Sequence, residues 1–503
     1  MFFLIFILFP VASVTAEPFP VQLSSACDEL FEEKGDLALF TPDPDAVAAS
    51  KTPVIEERLF FWYALVFSGV KKTETDKYLE KYDALARDFE DYLDKTGAEI
   101  SLAHSENSSI DESYNKGNAI LLFLHEKIFK KYYEMETRLD VLLDKGYFNC
   151  VSSGILYYAL ALRNNLDVKG IRTSDHAFCA VVIPGKTVDV ETTTKYGFDP
   201  GEKKEFTDSF GKTGFIYTPP ANYRDRKEIS QQEFLALILQ NRISGLQHKR
   251  NYMDTVPLAV DRYALLGTDK AFNEMMSEFK NHAVELGNRK EYGKAVRFLS
   301  DAYTVYGDHP VITDTAGKLF YNQIVYFLED GQIEKAEYFR KCFSSEPLIS
   351  GRILDDTARL INEKKLYLSV MKNNFTKSHE EILKYHADSL IGAKEKQEYL
   401  VYIYSREIQR LSAEEGWISA LDFSASAAEE TGNDPRIDKL AQTVEFNLGI
   451  IYHNKFVSLY NSGALEEALS VLEEGLAVIP YNKTLISDLD LLEKSNTKNK
   501  KQQ

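Results

Sequence analysis

The second half of the chain repeats one pattern, in which two amphipathic segments follow each other with small residues at matching positions. Ala295 and Ala302 stand seven residues apart in one copy, and Ala420 and Ala427 are spaced in the same way in another. Further small residues mark the other copies: Gly331, Ala336, Gly463, Ala468 and Gly475. Because small residues let two helices pack closely, this half of the chain is predicted to contain only helices, stacked in pairs.

The pattern resembles that of tetratricopeptide repeats, with a looser spacing of 41 or 48 residues between equivalent alanines and a weaker copy at residues 373–385. The resemblance implies a concave surface that binds a peptide or a partner protein. A rigid spacer or a dimerisation platform would produce the same pattern. We assign the repeats to residues 226–492 and predict that residues 493–503 form a polar, disordered tail.

The stretch from residue 149 to residue 197 places a thiol and an imidazole at the starts of two predicted elements. Asn149 is a suitable helix N-cap, and apolar residues follow it with helical spacing, so Cys150 is expected in the first turn. There the unpaired backbone N–H groups and the helix dipole favour a thiolate. His176 opens a β-rich run. Either residue alone would more often be core packing than catalytic, and it is their order on these elements that indicates nucleophilic thiol chemistry.

Two acids on the next predicted strand, Asp189 and Glu191, compete for the role of orienting His176. If residues 184–185 form a two-residue turn, both acids lie on the face of the hairpin that carries His176. Glu191 is then the diagonal neighbour of His176, whereas Asp189 lies about 6–7 Å further along the strand. A three-residue turn would place both acids on the opposite face. We predict that Glu191 orients His176 and that Asp189 is a solvated or supporting acid.

Residues 116–200 resemble the transglutaminase-like superfamily, the branch of papain-type cysteine enzymes that is widespread in bacteria. GYFNCVSSGILYYALA is similar to the nucleophile helix of that family, DHAFCAVVI to its histidine strand and GKTVDVETT to the strand that carries its acid. The family usually has Asp at the position of Glu191, and a Trp often found in that strand is Thr187 here. The resemblance implies an α+β domain, which we assign to residues 116–225, with a third strand predicted at residues 214–218.

The same resemblance implies that Cys150 attacks a carboxamide or peptide carbonyl while His176 accepts the thiol proton. Release of the acyl group to water would make the protein a peptidase or amidase, and release to an amine would make it a transglutaminase. Water is always present and no feature of the sequence marks an amine site, so hydrolysis is favoured. The alternative is a non-catalytic assembly protein of the cell envelope that uses both domains to bind other proteins.

The N-terminal residues 1–16 form an apolar run that ends in small residues, which is typical of a secretory signal peptide and too short to span a bilayer. The protein is therefore expected to be periplasmic or secreted. Plain export is favoured over a lipid anchor at Cys27, because an acid and two prolines separate that cysteine from the apolar run. Residues 17–115 are expected to form a helical region, with a polar linker at residues 104–118.

Composition excludes some classes of function. A net charge of −18 argues against nucleic acid as a partner. Four scattered cysteines do not make a disulfide framework, no CxxC or HExxH spacing suggests a metal, and no cofactor is expected. After residue 16 no apolar run is long enough to cross a membrane. The chain is thus predicted to be mostly helical, an α+β papain/transglutaminase-like domain followed by an all-α tetratricopeptide-like helical solenoid.

Overall fold

The computed structural model of the protein describes residues 36–100, 108–174, 176–200, 226–344 and 347–500. They are mostly helical, as predicted, and contain a small sheet region. The chain divides into two compact units, one running to Phe320 with Glu346–Ile349 and the other comprising Tyr321–Ser345 and Ser350–Gln503. The predicted signal peptide, Cys27 and the strand predicted at 214–218 lie outside the described residues.

The helices of the first unit follow one another along the chain, with short 3-10 turns at Leu37–Phe40 and Lys72–Glu74. They are α1 (Pro44–Ser50), α2 (Glu57–Phe67), α3 (Thr75–Ile100), α4 (Ser108–Lys127), α5 (Leu139–Lys145), α6 (Cys150–Arg163), α7 (Gln231–His248), α8 (Thr255–Leu266), α9 (Asp269–Asn288) and α10 (Tyr292–Tyr306). Helix α11 (Pro310–Glu329) crosses the boundary between the units. The remaining helices are α12 (Ile333–Cys342), α13 (Gly351–Lys372), α14 (Phe375–Ala387), α15 (Ala393–Glu414), α16 (Trp417–Glu430), α17 (Pro435–Ser462), α18 (Leu465–Val478) and α19 (Lys483–Lys500).

The strands belong to the first unit and form two sheets. They are β1 (Lys131–Tyr132), β2 (Tyr147–Phe148), β3 (Asp167–Arg172), β4 (Ala177–Ile183), β5 (Lys186–Val190) and β6 (Lys227–Ile229). The first two strands pair in parallel, and the other four form an antiparallel sheet in the order β5-β4-β3-β6. Helix α6 lies against β3 and β4, with the Cys179 thiol donating to the Gly154 carbonyl at 3.3 Å.

The hairpin between β4 and β5 has the predicted two-residue turn. Ile183 pairs with Lys186, and Ala180 pairs with Asp189. Gly185 has a φ of +90°, the left-handed conformation that the third position of a type II turn requires. Because strand side chains alternate between faces, this pairing excludes the three-residue turn that would have turned both acids away.

Helix α7 lies within the range assigned to the repeats but belongs to the first unit. Its N-cap is Ser230, which forms a capping box with Glu233. Phe234 in the first turn is fully buried, and added Cβ atoms on Gly154 and Gly170 would each lie 2.9 Å from its ring. The two glycines therefore let Phe234 fill the space between α6 and the sheet.

The division between compact units does not coincide with the domain boundary predicted near residue 225. Phe40 lies 5.2 Å from Phe279 of α9 and 5.2 Å from Phe298 of α10, measured between ring centroids. The Tyr306 hydroxyl donates to the Phe40 carbonyl at 2.8 Å. The first helix pair of the predicted solenoid is thus packed on the N-terminal part of the chain, and the division falls at residues 320–321.

Two segments predicted to lack structure are helical in part. Helix α4 begins at Ser108, so residues 108–118 are not a linker, because Tyr114 packs edge-on against Phe198 at 5.0 Å and gives these polar turns a tertiary contact. Helix α19 continues to Lys500 through most of the predicted tail, where the sequence has no Gly or Pro to end it. In the described part of the chain no helix is both long and apolar enough to span a membrane.

The second unit consists of helix pairs, as the repeat pattern predicts. The marked alanines of its copies are fully buried: Ala336, Ala420, Ala427 and Ala468. A Cβ on Gly475 of α18 would lie 2.9 Å from both Tyr452 and Leu485, so only a glycine allows these neighbouring helices to approach this closely. Small residues therefore mark the contacts between helices.

Phe234→Ala is expected to lower the free energy of unfolding of the first unit by about 3–5 kcal/mol, since it empties a buried site bounded by helix and sheet. Urea unfolding followed by circular dichroism measures this change. The matched control is Phe446→Ala, where the side chain is 65% exposed. Its effect is expected to stay below about 0.5 kcal/mol. If both variants lose equally little stability, α7 is not part of the core of the first unit.

Candidate active site

Cys150 is the first residue of α6, and its backbone is fixed by the helix cap. The Asn149 side chain accepts hydrogen bonds from the Val151 and Ser152 amides at 3.0 Å each, and the Ser152 hydroxyl accepts from the Asn149 amide. Cys150 is partly exposed, whereas the second free thiol of the described chain, Cys179, is buried. The cap leaves the Cys150 amide itself unengaged among the described residues.

His176 lies at the end of the turn between β3 and β4, immediately before β4 begins. The Thr173 amide donates to the His176 carbonyl at 2.9 Å, and the His176 amide donates to the Thr173 hydroxyl at 3.1 Å. The Nε2 atom of His176 lies 2.6 Å from Oε2 of Glu191, so the carboxylate holds the ring with a proton on Nε2. Nδ1 is then the nitrogen that can exchange a proton with a thiol.

Cys150 and Glu191 act on His176 from two sides. Burial alone would lower the pKa of the imidazole, but the side-chain hydrogen bonds with Cys150 and Glu191 and their negative charges raise it to about 10. The predicted residues Cys150, His176 and Glu191 are therefore brought together from a helix end, a turn and a strand end. The arrangement favours a protonated imidazole between the thiol and the carboxylate.

Glu191 is a buried carboxylate with its polar partners in place. Oε1 accepts hydrogen bonds from the Thr193 amide at 3.1 Å and from the Thr193 hydroxyl at 2.7 Å, while Oε2 faces His176. Burial would raise the pKa of Glu191, but the hydrogen bonds from His176 and Thr193 outweigh it and lower the pKa below its ordinary value. The acid is therefore ionised and fixed in position.

The loop that follows Glu191 folds back on its backbone. The Glu191 amide donates to the Gly197 carbonyl at 2.8 Å, and the Asp199 amide donates to the Asp189 carbonyl at 2.9 Å. A Cβ on Gly197 would lie 1.9 Å from the Glu191 carbonyl oxygen, so no other residue fits this approach. The sequence signal of this requirement is a single glycine, which cannot be recognised without the fold.

His125 supports the same loop as a packed histidine. Its ring packs edge-on against Phe129 and Phe148, and its Nε2 lies 3.0 Å from the Thr192 carbonyl oxygen. Burial lowers the pKa of His125 to about 4, so the ring is neutral and donates this hydrogen bond. The Thr192 hydroxyl in turn bonds that of Ser153 on α6 at 2.8 Å. The acid loop is thereby tied to the helix that carries Cys150.

Asp189 takes a different role from Glu191. Both of its carboxylate oxygens are bound by Arg226, at 2.7 Å and 2.6 Å, and the Arg226 guanidinium lies 5.2 Å from the centroid of the Phe178 ring. The acid is buried. Asp189 is therefore a structural partner of an arginine, which excludes the solvated alternative of the two roles predicted for it. Arg226 was missed because it stands 37 residues away with no local pattern to mark it.

Tyr132 is a further neighbour of the thiol that the sequence did not indicate. It pairs across the short parallel sheet with Phe148, two residues before Cys150, and their rings meet edge-on at 5.8 Å. Burial, followed by the charges of Cys150 and Glu134, raises the pKa of Tyr132 to about 12, so the phenol keeps its proton. Two-residue strands have no periodicity, which is why Tyr132 was overlooked.

Comparison with protein-family models and with curated proteins finds no match for this chain. Among the residues that the structure describes, no group of three or more His, Cys, Asp or Glu side chains is placed to hold a metal ion.

Gly197→Ala is expected to lower the free energy of unfolding by about 1–3 kcal/mol, because the added methyl group overlaps the Glu191 carbonyl. Chemical unfolding in urea measures the change. Gly351→Ala is the matched control, since nothing lies within 4 Å of the added Cβ at that position. If both variants are equally stable, the loop does not close on Glu191 as described.

Proposed function

We propose that the protein is a cysteine-dependent acyl-transfer enzyme of the transglutaminase-like type that acts as a peptidase or amidase. The observation that carries the proposal is the series of contacts from Cys150 through His176 to Glu191. An imidazole held between a thiol and a buried carboxylate can take the thiol proton and retain it. Nucleophilic catalysis needs this arrangement, whereas packing alone does not.

In the first half of the reaction, the Cys150 sulfur attacks the carbonyl carbon of the substrate. The carbonyl π electrons move to oxygen, and the resulting oxyanion is stabilised by the unengaged Cys150 amide, with the protonated Tyr132 hydroxyl as a second candidate donor. The C–N bond then breaks, and the proton on Nδ1 of His176 passes to the leaving amine. The product of this half is a thioester on Cys150.

In the second half, water attacks the thioester while Nδ1 of His176 accepts one of its protons. Collapse of the second oxyanion breaks the C–S bond, the acid product leaves, and the proton returns to the Cys150–His176 pair. Glu191 does not exchange a proton in this scheme. It keeps Nε2 protonated and stabilises the imidazolium, as the acid of a catalytic triad does.

We further propose that the protein is exported and that its second unit binds a protein partner. Cys342 is disulfide-bonded, and structural disulfides persist mainly in oxidising compartments. The second unit exposes Tyr367, Met371 and Tyr402 side by side, with the Tyr402 hydroxyl 2.8 Å from the Met371 sulfur. Exposed tyrosine and methionine side chains are enriched at protein interfaces, which supports a protein or peptide partner there.

Cys150 is expected to react with iodoacetamide at pH 6, where ordinary thiols with a pKa of about 8.5 are almost entirely protonated. The pKa of His176 is about 10, above its ordinary value, so the imidazolium is retained from pH 6 until the pH rises towards 10. The second-order rate of alkylation of Cys150 at pH 6 should therefore exceed that of an ordinary thiol, because the adjacent cation stabilises the negative charge that the sulfur carries during attack. Mass spectrometry of tryptic peptides identifies the modified cysteine.

Cys150→Ser is the control for this experiment, because it leaves Cys179 as the free thiol of the described chain. Since Cys179 is buried, rapid alkylation at pH 6 should be lost in that variant. Slow alkylation of the wild-type protein at pH 6, equal to that of an ordinary thiol, would favour the non-catalytic assembly protein instead.

The two acids are expected to differ in their effects. Glu191→Gln should slow alkylation at pH 6 by at least about tenfold, because it removes the charge that stabilises the imidazolium. Asp189→Asn should leave that rate within a few-fold but lower the free energy of unfolding by roughly 3 kcal/mol, because it breaks a buried ion pair with Arg226. Alkylation kinetics and urea unfolding on both variants measure the two effects. If Asp189→Asn slows alkylation and Glu191→Gln does not, the role given to Glu191 is wrong.

A further inference from the structure

A cavity of about 880 Å³ lies in the first unit beside the turn that carries His176. Arg172, the last residue of β3, and Thr173 and Ser174, which follow it towards His176, line one wall of it. The other walls come from β6, α7, α8 and the start of α9. The position matters because Arg172 pairs with Ala177, the residue after His176. The cavity therefore adjoins the end of the sheet at which the proposed reaction takes place.

The lining of the cavity is basic although the protein as a whole carries a net charge of −18. Four of its side chains are cationic and one is acidic: Arg172, Lys227, Arg262, Lys270 and Glu233. Glu233 is already engaged by Lys227 at 2.7 Å and by the Ser230 amide at 2.9 Å. Local positive charge of this kind in an acidic protein attracts anions to one place on its surface.

Arg262 and Arg172 are the cations with unused capacity. Arg262 is only 6% exposed, and although Nη1 donates to Glu274, its Nε has no hydrogen-bond partner in the described part of the chain. Buried donors are normally paired, so Arg262 keeps a donor that its protein neighbours do not satisfy. Arg172 is half-buried and has no acidic partner among the described residues. Both guanidinium groups suit the two oxygens of a carboxylate.

The start of α9 adds to this field. Thr268 caps the helix by accepting from the Ala271 amide at 3.2 Å, and Lys270 and Ala271 line the cavity with it. A helix of 20 residues directs its positive dipole end and its unpaired amides to this wall. The same wall region includes apolar side chains, among them Leu237, Leu265 and Leu266. The cavity thus offers cations for an anionic group and apolar surface for the carbon chain that bears it.

We propose that this cavity binds carboxylate side chains of an acidic peptide, and that it does so on the substrate of the Cys150 site. The assignment of the peptide as a substrate rests on the proposed function, whereas binding itself does not. A peptide is favoured over a free inorganic anion because the volume far exceeds that of one phosphate and the lining mixes charge with apolar surface.

Isothermal titration calorimetry on the full-length Cys150→Ser protein tests the binding without turnover. The probes are a blocked hexapeptide with two central glutamates and the same peptide with glutamines in their place. The glutamate peptide should bind at least about tenfold more tightly at low salt, and the difference should shrink as salt is added. Equal affinities of the two peptides would overturn the proposal.

Arg172→Gln and Lys270→Gln should each remove most of that preference, because both side chains line the cavity. Lys280→Gln is the matched control, since Lys280 is an exposed lysine of the same helix as Lys270 and lies outside the lining. If Arg172→Gln and Lys270→Gln keep the preference for the glutamate peptide, the peptide binds outside this cavity. If inorganic phosphate binds as tightly as the glutamate peptide and displaces it, the ligand of the cavity is a free anion and not a peptide.

The outcome is separable from the test of the proposed function. If Cys150 alkylates slowly at pH 6 but the glutamate peptide binds with the predicted variant pattern, the cavity stands as a binding site and the enzyme assignment fails. If Cys150 reacts rapidly but neither peptide binds, the enzyme assignment stands and the acidic-peptide proposal fails.

Discussion

The candidate site depends on the two-residue turn at Pro184 and Gly185. Side chains of a strand alternate between two faces, so one more residue in that turn would move every β5 side chain to the other side of the sheet. Because Ile183 pairs with Lys186, the side chains of Asp189 and Glu191 lie on the same face of the sheet as every second residue counted from His176. The turn is therefore the local feature that allows an acid to reach the imidazole, and Gly185 allows the turn.

The alternation of side chains between the two faces does not distinguish Asp189 from Glu191, because both lie on the same face. The two acids differ in their position along the strand. Asp189 lies within the ladder opposite Ala180, where Arg226 binds both of its oxygens. Glu191 stands one residue beyond the end of β5, where its side chain can reach the His176 ring. A buried carboxylate is costly unless it is hydrogen-bonded, and each acid is satisfied in a different way. Glu191, the acid that the proposed chemistry requires to be ionised, is the one bonded by His176 and Thr193.

Local signals were sufficient for the elements that hold the site, and long-range packing accounts for what they missed. The cap of α6 and the hairpin register depend on residues within a few positions of each other, so the sequence predicts them. The contact of Glu191 with His176 followed from that register. The binding of Asp189 by Arg226, the approach of Gly197 to Glu191 and the position of Tyr132 depend on segments brought together by the fold, which no periodicity encodes.

The division into compact units has the same origin. A small residue indicates that a neighbour approaches closely, but it does not indicate which neighbour. Gly154 and Gly170 accommodate Phe234 of α7, and Gly475 accommodates Tyr452 and Leu485 in the helix pairs of the second unit. The helix pair α9–α10 carries the same alanine spacing as the pair marked by Ala420 and Ala427, yet its aromatic side chains close around Phe40. The repeat pattern thus predicts helix pairing correctly and leaves open which compact unit a pair joins, because that choice is made by large side chains distant in sequence.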